Sequence, residues 1–386
     1  MTMAPRTRLK YASWVQSVLG DPLPPAKWAY NHAADAIESA SYDFFRRCFE
    51  NRLLRLKKAF GSDQRDYALI LKKLSAVGTA SWSGPYAELA AYDFLTSFTK
   101  VIPEVKPGER TLSARMGGQT PILDGKLPSY FDLHFDVKRL GDVTREVVNK
   151  IIAKLERKHP DVQLAAEYPL HIDPDEIGKQ HTAIYSGLRT ALARGEGGFA
   201  LPKLGLSIRI YKPRREVVTT LHHYDPYQQA NAWKYAAIED AHQLLEDRPN
   251  LRIFVTHLWY DQTNATDFSK NRTTYFRSLA RRVFCELTKD ERPSDQVLPR
   301  GGAASVTVAE IAKRVSAILF IVDETVEPKL PKADPTRPGH VMSGSLYVNP
   351  NANAKPEANL VIERLCADAN SRRLLQVVDD FECDNY

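Results

Sequence analysis

At 386 residues, with 43% hydrophobic and 26% charged, the chain can bury a substantial core, which excludes wholesale disorder. Its 53 Lys+Arg against 47 Asp+Glu leave a formal net charge of +6, compatible with a polyanionic partner but not diagnostic of one. Cys48, Cys285, Cys366 and Cys383 form no CxxC pair, and the sequence has neither a signal core nor an apolar run of membrane-spanning length; this predicts a soluble, cytoplasmic protein without structural zinc or membrane contact.

In chain order, a Pro-rich opening precedes a helix predicted over residues 26–58, and a second helix is predicted over 66–74. Ser83-Gly84-Pro85 reads as an N-cap followed by a first-turn proline, so a helix is expected to continue through residue 98. A first strand is expected to end at Asp124, with Asp124-Gly125 turning the chain and a second strand covering 130–138. A helix should follow over 142–158, then strands at 163–168, 205–211, 251–259 and 316–322, with helices at 226–245 and 273–287. Gly195-Glu196-Gly197-Gly198 lacks the lysine of a phosphate loop and reads as a flexible connection. Residues 327–338 carry four prolines and read as a loop, and 358–378 reads as one or two appended helices. The sum is an α/β protein with a mixed sheet covered by helices, in three parts: an N-terminal helical region (1–80), a catalytic-type domain (81–350) and a C-terminal helical tail (351–386).

The chemistry concentrates on the strand at 130–138. Its odd positions, Phe131, Leu133, Phe135 and Val137, are apolar; its even positions include Asp132, His134, Asp136 and Lys138. Side chains alternate across a strand, so one face is greasy and the other gathers two acids, a histidine and a lysine. An ordinary amphipathic strand would have the same pattern. Asp124 stands twelve residues before Asp136, and a hairpin would bring the two carboxyls together, an arrangement a hard divalent cation relieves. Glu88 shares a helical face with Ala91, Tyr92 and Leu95, which turns it toward the core. It stands too far from Ser83 for a capping box.

The order Glu88, then Pro121-Ile122-Leu123-Asp124, then Asp136-Val137-Lys138 resembles the PD-(D/E)XK, or restriction-endonuclease-like, nuclease superfamily over residues 83–322. Two residues intervene between Pro121 and Asp124, a departure from the family pattern that leaves Asp132 as an alternative second acid. The resemblance implies a restriction-endonuclease-like core and hydrolysis of DNA phosphodiesters, in restriction, phage defence or repair. It further implies Mg²⁺ (or Mn²⁺) held by Glu88, Asp124, Asp136 and the Val137 carbonyl. Lys138 would orient water, and His134 could assist. Many members are homodimers, so a homodimer is compatible with the resemblance. Lys270, Arg277 and Arg281, nearly in register on one helix, would be DNA-phosphate contacts, unless they form a solvated face. Two other readings stay open: a nucleic-acid-binding protein with this fold but no catalysis, and an interaction or scaffold protein.

Overall fold

The computed structural model describes residues 11–29, 31–107, 111, 121–140, 148, 151–152, 154–156, 158–168, 174–213, 225–259, 269–298, 302–326, 334–353, 356–371 and 375–378. Among the described residues, five α-helices come first: α1 (Tyr11–Leu19), α2 (His32–Glu38), α3 (Asp43–Phe60), α4 (Gln64–Val77) and α5 (Ser83–Thr96). The helix expected over 26–58 is thus two helices, because Ser39 turns extended (φ −94°, ψ 129°) and ends α2. Helix α4 starts earlier than its apolar periodicity suggests, because the Asp63 carboxylate accepts from the Arg65 and Asp66 amides at 2.9 and 3.0 Å. Ser83 is not the cap of α5: Trp82 holds that position without a side-chain cap, and the Ser83 hydroxyl accepts from Arg139 at 2.9 Å.

Among the described residues, the main sheet has seven strands. In spatial order they are β1 (Ile102–Val105), β2 (Leu123–Leu127), β3 (Leu133–Arg139), β7 (Asn250–His257), β8 (Val315–Asp323), β9 (Met342–Val348) and β10 (Leu375–Val378). β1, β2 and β3 form an antiparallel meander, β3, β7 and β8 run parallel, β9 returns antiparallel and β10 lies parallel to β9. The fold is therefore α/β with a mixed sheet flanked by helices. Every residue of β7 and β8 is buried, as expected of central parallel strands covered on both faces. Their alternation divides two cores. Leu251, Ile253, Val255, Ala317, Leu319 and Ile321 join Phe135 and Val137 against α1–α5. Phe254, Ile318 and Phe320 face the helices at Pro226–Trp233 and Ser269–Arg281. Helices α1–α4 thus share a core with the sheet. Between β3 and β7 in the chain lies a small antiparallel sheet, β4 (Gln163–Glu167), β6 (Leu206–Tyr211) and β5 (Gly198–Leu201), with a core of its own.

Several boundaries differ from expectation for local reasons. The Gly-rich stretch ends in β5 rather than remaining a connection. The helix expected over 226–245 stops at Trp233 and gives way to 3₁₀ turns at Lys234–Ala237 and Ala241–Gln243, with Asp240 left-handed between them (φ 55°). The helix expected over 273–287 is α-helical to Arg281, then widens to a π turn at Arg282–Glu286. The C-terminal region is not purely helical: a helix at Pro356–Ser371 is followed by β10. Most of 142–158 and of 327–338 lies outside the described residues, though Val148, Ile151, Ile152 and Leu155 are buried at helical spacing.

Candidate functional site

Phe131 and Asp132 do not belong to the strand expected over 130–138. They follow a 3₁₀ turn at Pro128–Tyr130 in left-handed conformations (φ 53° and 56°), and β3 begins at Leu133. The apolar face is accordingly Leu133, Phe135 and Val137, packed toward α5. His134, Asp136 and Lys138 take the opposite face.

Asp124 also sits differently from expectation: it lies near the start of β2, not at the end of a strand, and Gly125 is a strand residue rather than a turn. A Cβ on Gly125 would lie 2.5 Å from the Phe135 ring and 2.8 Å from the Ile102 carbonyl, so glycine is required for the close approach of three strands. The β2–β3 ladder pairs Leu127 with Leu133, Lys126 with His134 and Gly125 with Phe135. One step further the ladder ends, and the Asp124 carboxylate accepts the Val137 amide at 2.7 Å. Tyr92 of α5 donates to the Asp124 carbonyl at 2.7 Å, tying this strand end to the helix.

Asp136 is 5% exposed. Its Oδ2 meets Arg252 Nη1 at 2.5 Å and Lys138 Nζ at 3.0 Å. Arg252 lies directly across the β3–β7 pairing and spends its other donors on the Ala237 and Glu239 carbonyls, both at 3.1 Å. Lys138 reaches Asp240 at 2.5 Å. Burial alone would lower the Lys138 pKa, but Asp136 and Asp240 outweigh it and raise it. Lys138 is therefore a fixed cation and suits stabilising negative charge better than taking a proton.

Glu88 is paired with Lys73 of α4, whose ammonium also holds Glu104 at 3.0 Å. Asp124 interacts with both halves of the cluster. Its carboxyl is pushed well above the usual carboxylate range, first by burial, then by Asp136 and by Glu88; the Val137 amide and Lys73 oppose this only in part. The structure thus brings Glu88, Asp124, Asp136 and Lys138 into one electrostatic cluster, with Val137 in its backbone. Among the described residues no three His, Cys, Asp or Glu side chains stand together so as to hold a metal ion.

Asp132 is placed elsewhere: it pairs with Lys126 at 2.9 Å and approaches Arg248 at 4.0 Å, at the opposite end of the hairpin. His134 is buried there too, its pKa pushed down to about 4 by burial and then by Arg248 and Lys126. Arg277 and Arg281 are half-buried, and each is engaged within the fold rather than presented as a free cation. The side chain of Lys270 lies outside the described residues. No described helix is long and apolar enough to cross a membrane.

Four members of the cluster escaped the sequence reading: Arg252, Asp240, Lys73 and Glu104. Arg252 carried a usable signal, since a charge inside the apolar run Leu251–Val255 must find a buried partner. The other three are ordinary charged residues whose partners lie far away in sequence. Compared with protein-family models, curated proteins and solved structures, the chain matches none.

Proposed function

We propose that this protein is a metal-dependent nuclease of PD-(D/E)XK type that hydrolyses DNA phosphodiesters at the Asp124–Asp136–Lys138 cluster. One observation carries the reading. Asp124 is half-buried near the start of β2, and desolvation, then Asp136 and Glu88, push its carboxyl up; its cluster sets five acids (Glu88, Glu104, Asp124, Asp136 and Asp240) against three cations (Lys73, Lys138 and Arg252). The order of elements supports it: helix α5, an antiparallel meander, then β7 parallel to β3. The substrate class and the link to restriction, defence or repair rest on the family resemblance.

The donor set fits Mg²⁺ or Mn²⁺. These ions take oxygen ligands, and Mg²⁺ commonly uses only one or two carboxylates and keeps several waters. Asp124 and Asp136 would supply the carboxylates, with Glu88 and the Val137 carbonyl at hand. When bound, the ion supplies Lewis acidity toward a phosphoryl oxygen and lowers the pKa of water. The chain's own contribution is to hold cations and acids in fixed positions. Lys138 remains protonated beside Asp136 and stabilises charge developing on the phosphate. The Val137 amide orients Asp124, and Arg252 fixes the Asp136 carboxylate from the neighbouring strand β7.

The pairing of Asp136 with a 1% exposed arginine favours a second reading, in which the cluster is a structural ion-pair network on a non-catalytic, nucleic-acid-binding fold. Plasmid and oligonucleotide cleavage with Mg²⁺ or Mn²⁺ separates the two. The wild type should cut, and Asp136→Asn and Lys138→Ala should each lower the rate by about 10²–10³-fold while melting as folded proteins. Asparagine is chosen at 136 because alanine would leave Arg252 buried without a partner. Undiminished cutting by Asp136→Asn would refute the assignment, and DNA binding without cutting would favour the second reading.

A further inference from the structure

The segment inserted between β3 and β7 has a core of its own and a charge pattern that this core does not explain. Its helix at His181–Arg194 buries Ile184, Leu188 and Ala191, which leaves His181, Tyr185 and Arg189, each one turn from the next, along a flank of that helix. Lys154 and Lys158 reach the same flank from the helical segment that buries Val148, Ile151, Ile152 and Leu155. Their ammoniums lie 4.7 and 5.7 Å from the centre of the Tyr185 ring, and the His181 ring lies parallel to that ring at 6.4 Å. Lys158 first, then Lys154 and Arg189, hold the Tyr185 phenol below its ordinary pKa, as a locally positive surface would. Other exposed cations of the same module are paired: Arg194 meets Glu196 at 3.6 Å, Arg209 meets Glu167 at 3.6 Å and Lys212 meets Asp161 at 3.2 Å. Lys154, Lys158 and Arg189 are exposed and meet no carboxylate among the described residues. Two ammoniums drawn to one ring repel each other, and the ring offsets this only in part. An ordinary solvated face has no need of that gathering.

We propose that Lys154, Lys158 and Arg189, gathered around Tyr185, form a face of the inserted module that grips the phosphate backbone of DNA. The inference rests on DNA as the partner of this protein and deepens that reading. It puts phosphate contacts here rather than on Arg277 and Arg281, which are engaged within the fold. Charge complementarity selects the occupant. A duplex presents one negative charge per roughly 1.7 Å of axis, so each cation of a cluster can displace a condensed counterion, whereas a single small anion would leave most of the cluster unmet. An anionic lipid surface would call for apolar side chains beside the cations, and none of the large exposed hydrophobics of the described residues lies in this module. The Tyr185 ring holds the two ammoniums side by side before DNA arrives, which lowers the cost of ordering two flexible side chains on binding.

The test is fluorescence anisotropy of a labelled DNA duplex titrated with the full chain in metal-free buffer, over a series of salt concentrations. The variants are Lys154→Gln with Lys158→Gln, Arg189→Gln alone, and Arg194→Gln with Arg209→Gln as a control that removes two paired charges from the same module. All five side chains are exposed, and melting curves establish that each variant folds. Arg189 comes from a different helix than the lysines, so it answers the question if the double variant fails to fold. The lysine pair should lower affinity by at least about tenfold at low salt and make the plot of log affinity against log salt shallower by about two; Arg189→Gln should make it shallower by about one. The control should bind much as wild type does. Equal losses in the control overturn the inference, because attraction would then follow overall charge and not this face. Binding to phosphatidylserine vesicles without binding to DNA also overturns it. If wild type cuts DNA with Mg²⁺ and the patch variants bind like wild type, the nuclease reading stands and this inference alone falls. If wild type neither binds nor cuts, both fall.

Discussion

Helix α5 carries an acid into each of two ionic clusters, and the clusters behave in opposite ways. Asp93, toward its C-terminal end, joins Arg52, Arg55 and Asp323. Arg52 is wholly buried and reaches Asp93 at 3.2 Å and Asp323 at 2.9 Å, while Arg55 grips Asp93 with two bonds of 2.7 Å. Burial alone would push the Asp323 carboxyl up; Arg52, and then His257, more than reverse this and hold it below the usual range. Glu88, toward the N-terminal end, joins the Asp124 cluster, where burial and two neighbouring carboxylates win and the Asp124 carboxyl is pushed up. The same residue types give a closed, sealed network in one place, with Arg52, Asp93 and Asp323 at 0–1% exposure, and an acid-rich one more open to solvent in the other, with Glu88, Glu104 and Lys138 at 19–22%. Solvent access and the balance of charge together separate a structural ion-pair network from a candidate site.

The largest effect should come from breaking the closed cluster. Replacing Arg52 with methionine leaves Asp323 buried without its main partner and Asp93 with Arg55 alone, at a cost of about 3–5 kcal/mol. Urea denaturation should show the midpoint fall with little change in slope. A loss under 1 kcal/mol would mean that the closed cluster is no tighter than the open one, and the contrast would dissolve.

Much of the fold was legible because it is local. The apolar odd positions Leu133, Phe135 and Val137 gave the orientation of β3, and the uninterrupted apolar run gave β8. What the sequence hid is contact across distance. Nothing near Arg52 points to Asp323, and nothing near Lys73 points to Glu104. Gly125 was misread because glycine has two uses, and here the crowding of the Phe135 ring, not a turn, requires it. Asp124 was therefore placed at the wrong end of a strand, yet still met Asp136, because adjacent antiparallel strands bring the neighbourhood together under either reading. The strand β10 was missed because its four residues carry too little pattern to compete with the helix before it.

A somewhat smaller effect concerns pH. His257, at the end of β7, lies in the closed cluster within 3.4 Å of the Tyr86 and Thr325 hydroxyls, and burial pushes its pKa down to about 4. The unfolded chain takes up a proton near pH 6.5 whereas the folded chain does not until about pH 4, so stability falls as the pH drops through this window. Full protonation of the unfolded state corresponds to roughly 3 kcal/mol. His134, whose pKa is also pushed down to about 4, adds a slope of the same sign. Replacing His257 with glutamine should flatten the decline between pH 7 and 5, as followed by thermal melts. An identical slope in the variant would place the acid sensitivity elsewhere.

The smallest effect is a gain, and its sign sharpens the contrast most. A carboxyl raised in the folded protein binds its proton more tightly there than when unfolded. Stability is therefore full below the ordinary carboxylate range and falls as the pH rises toward the raised value. Asp124→Asn removes that penalty while its amide oxygen can still accept the Val137 amide. In metal-free buffer at neutral to alkaline pH it should be more stable than wild type by about 0.5–2 kcal/mol, the usual return on relieving a strained functional site. The gain should vanish near pH 4, and saturating Mn²⁺ should stabilise wild type alone. The closed cluster thus weakens in acid and the open one in base. An Asp124→Asn variant that is less stable than wild type throughout would mean that the carboxylate is satisfied by its own neighbours, leaving no charge for an ion to balance.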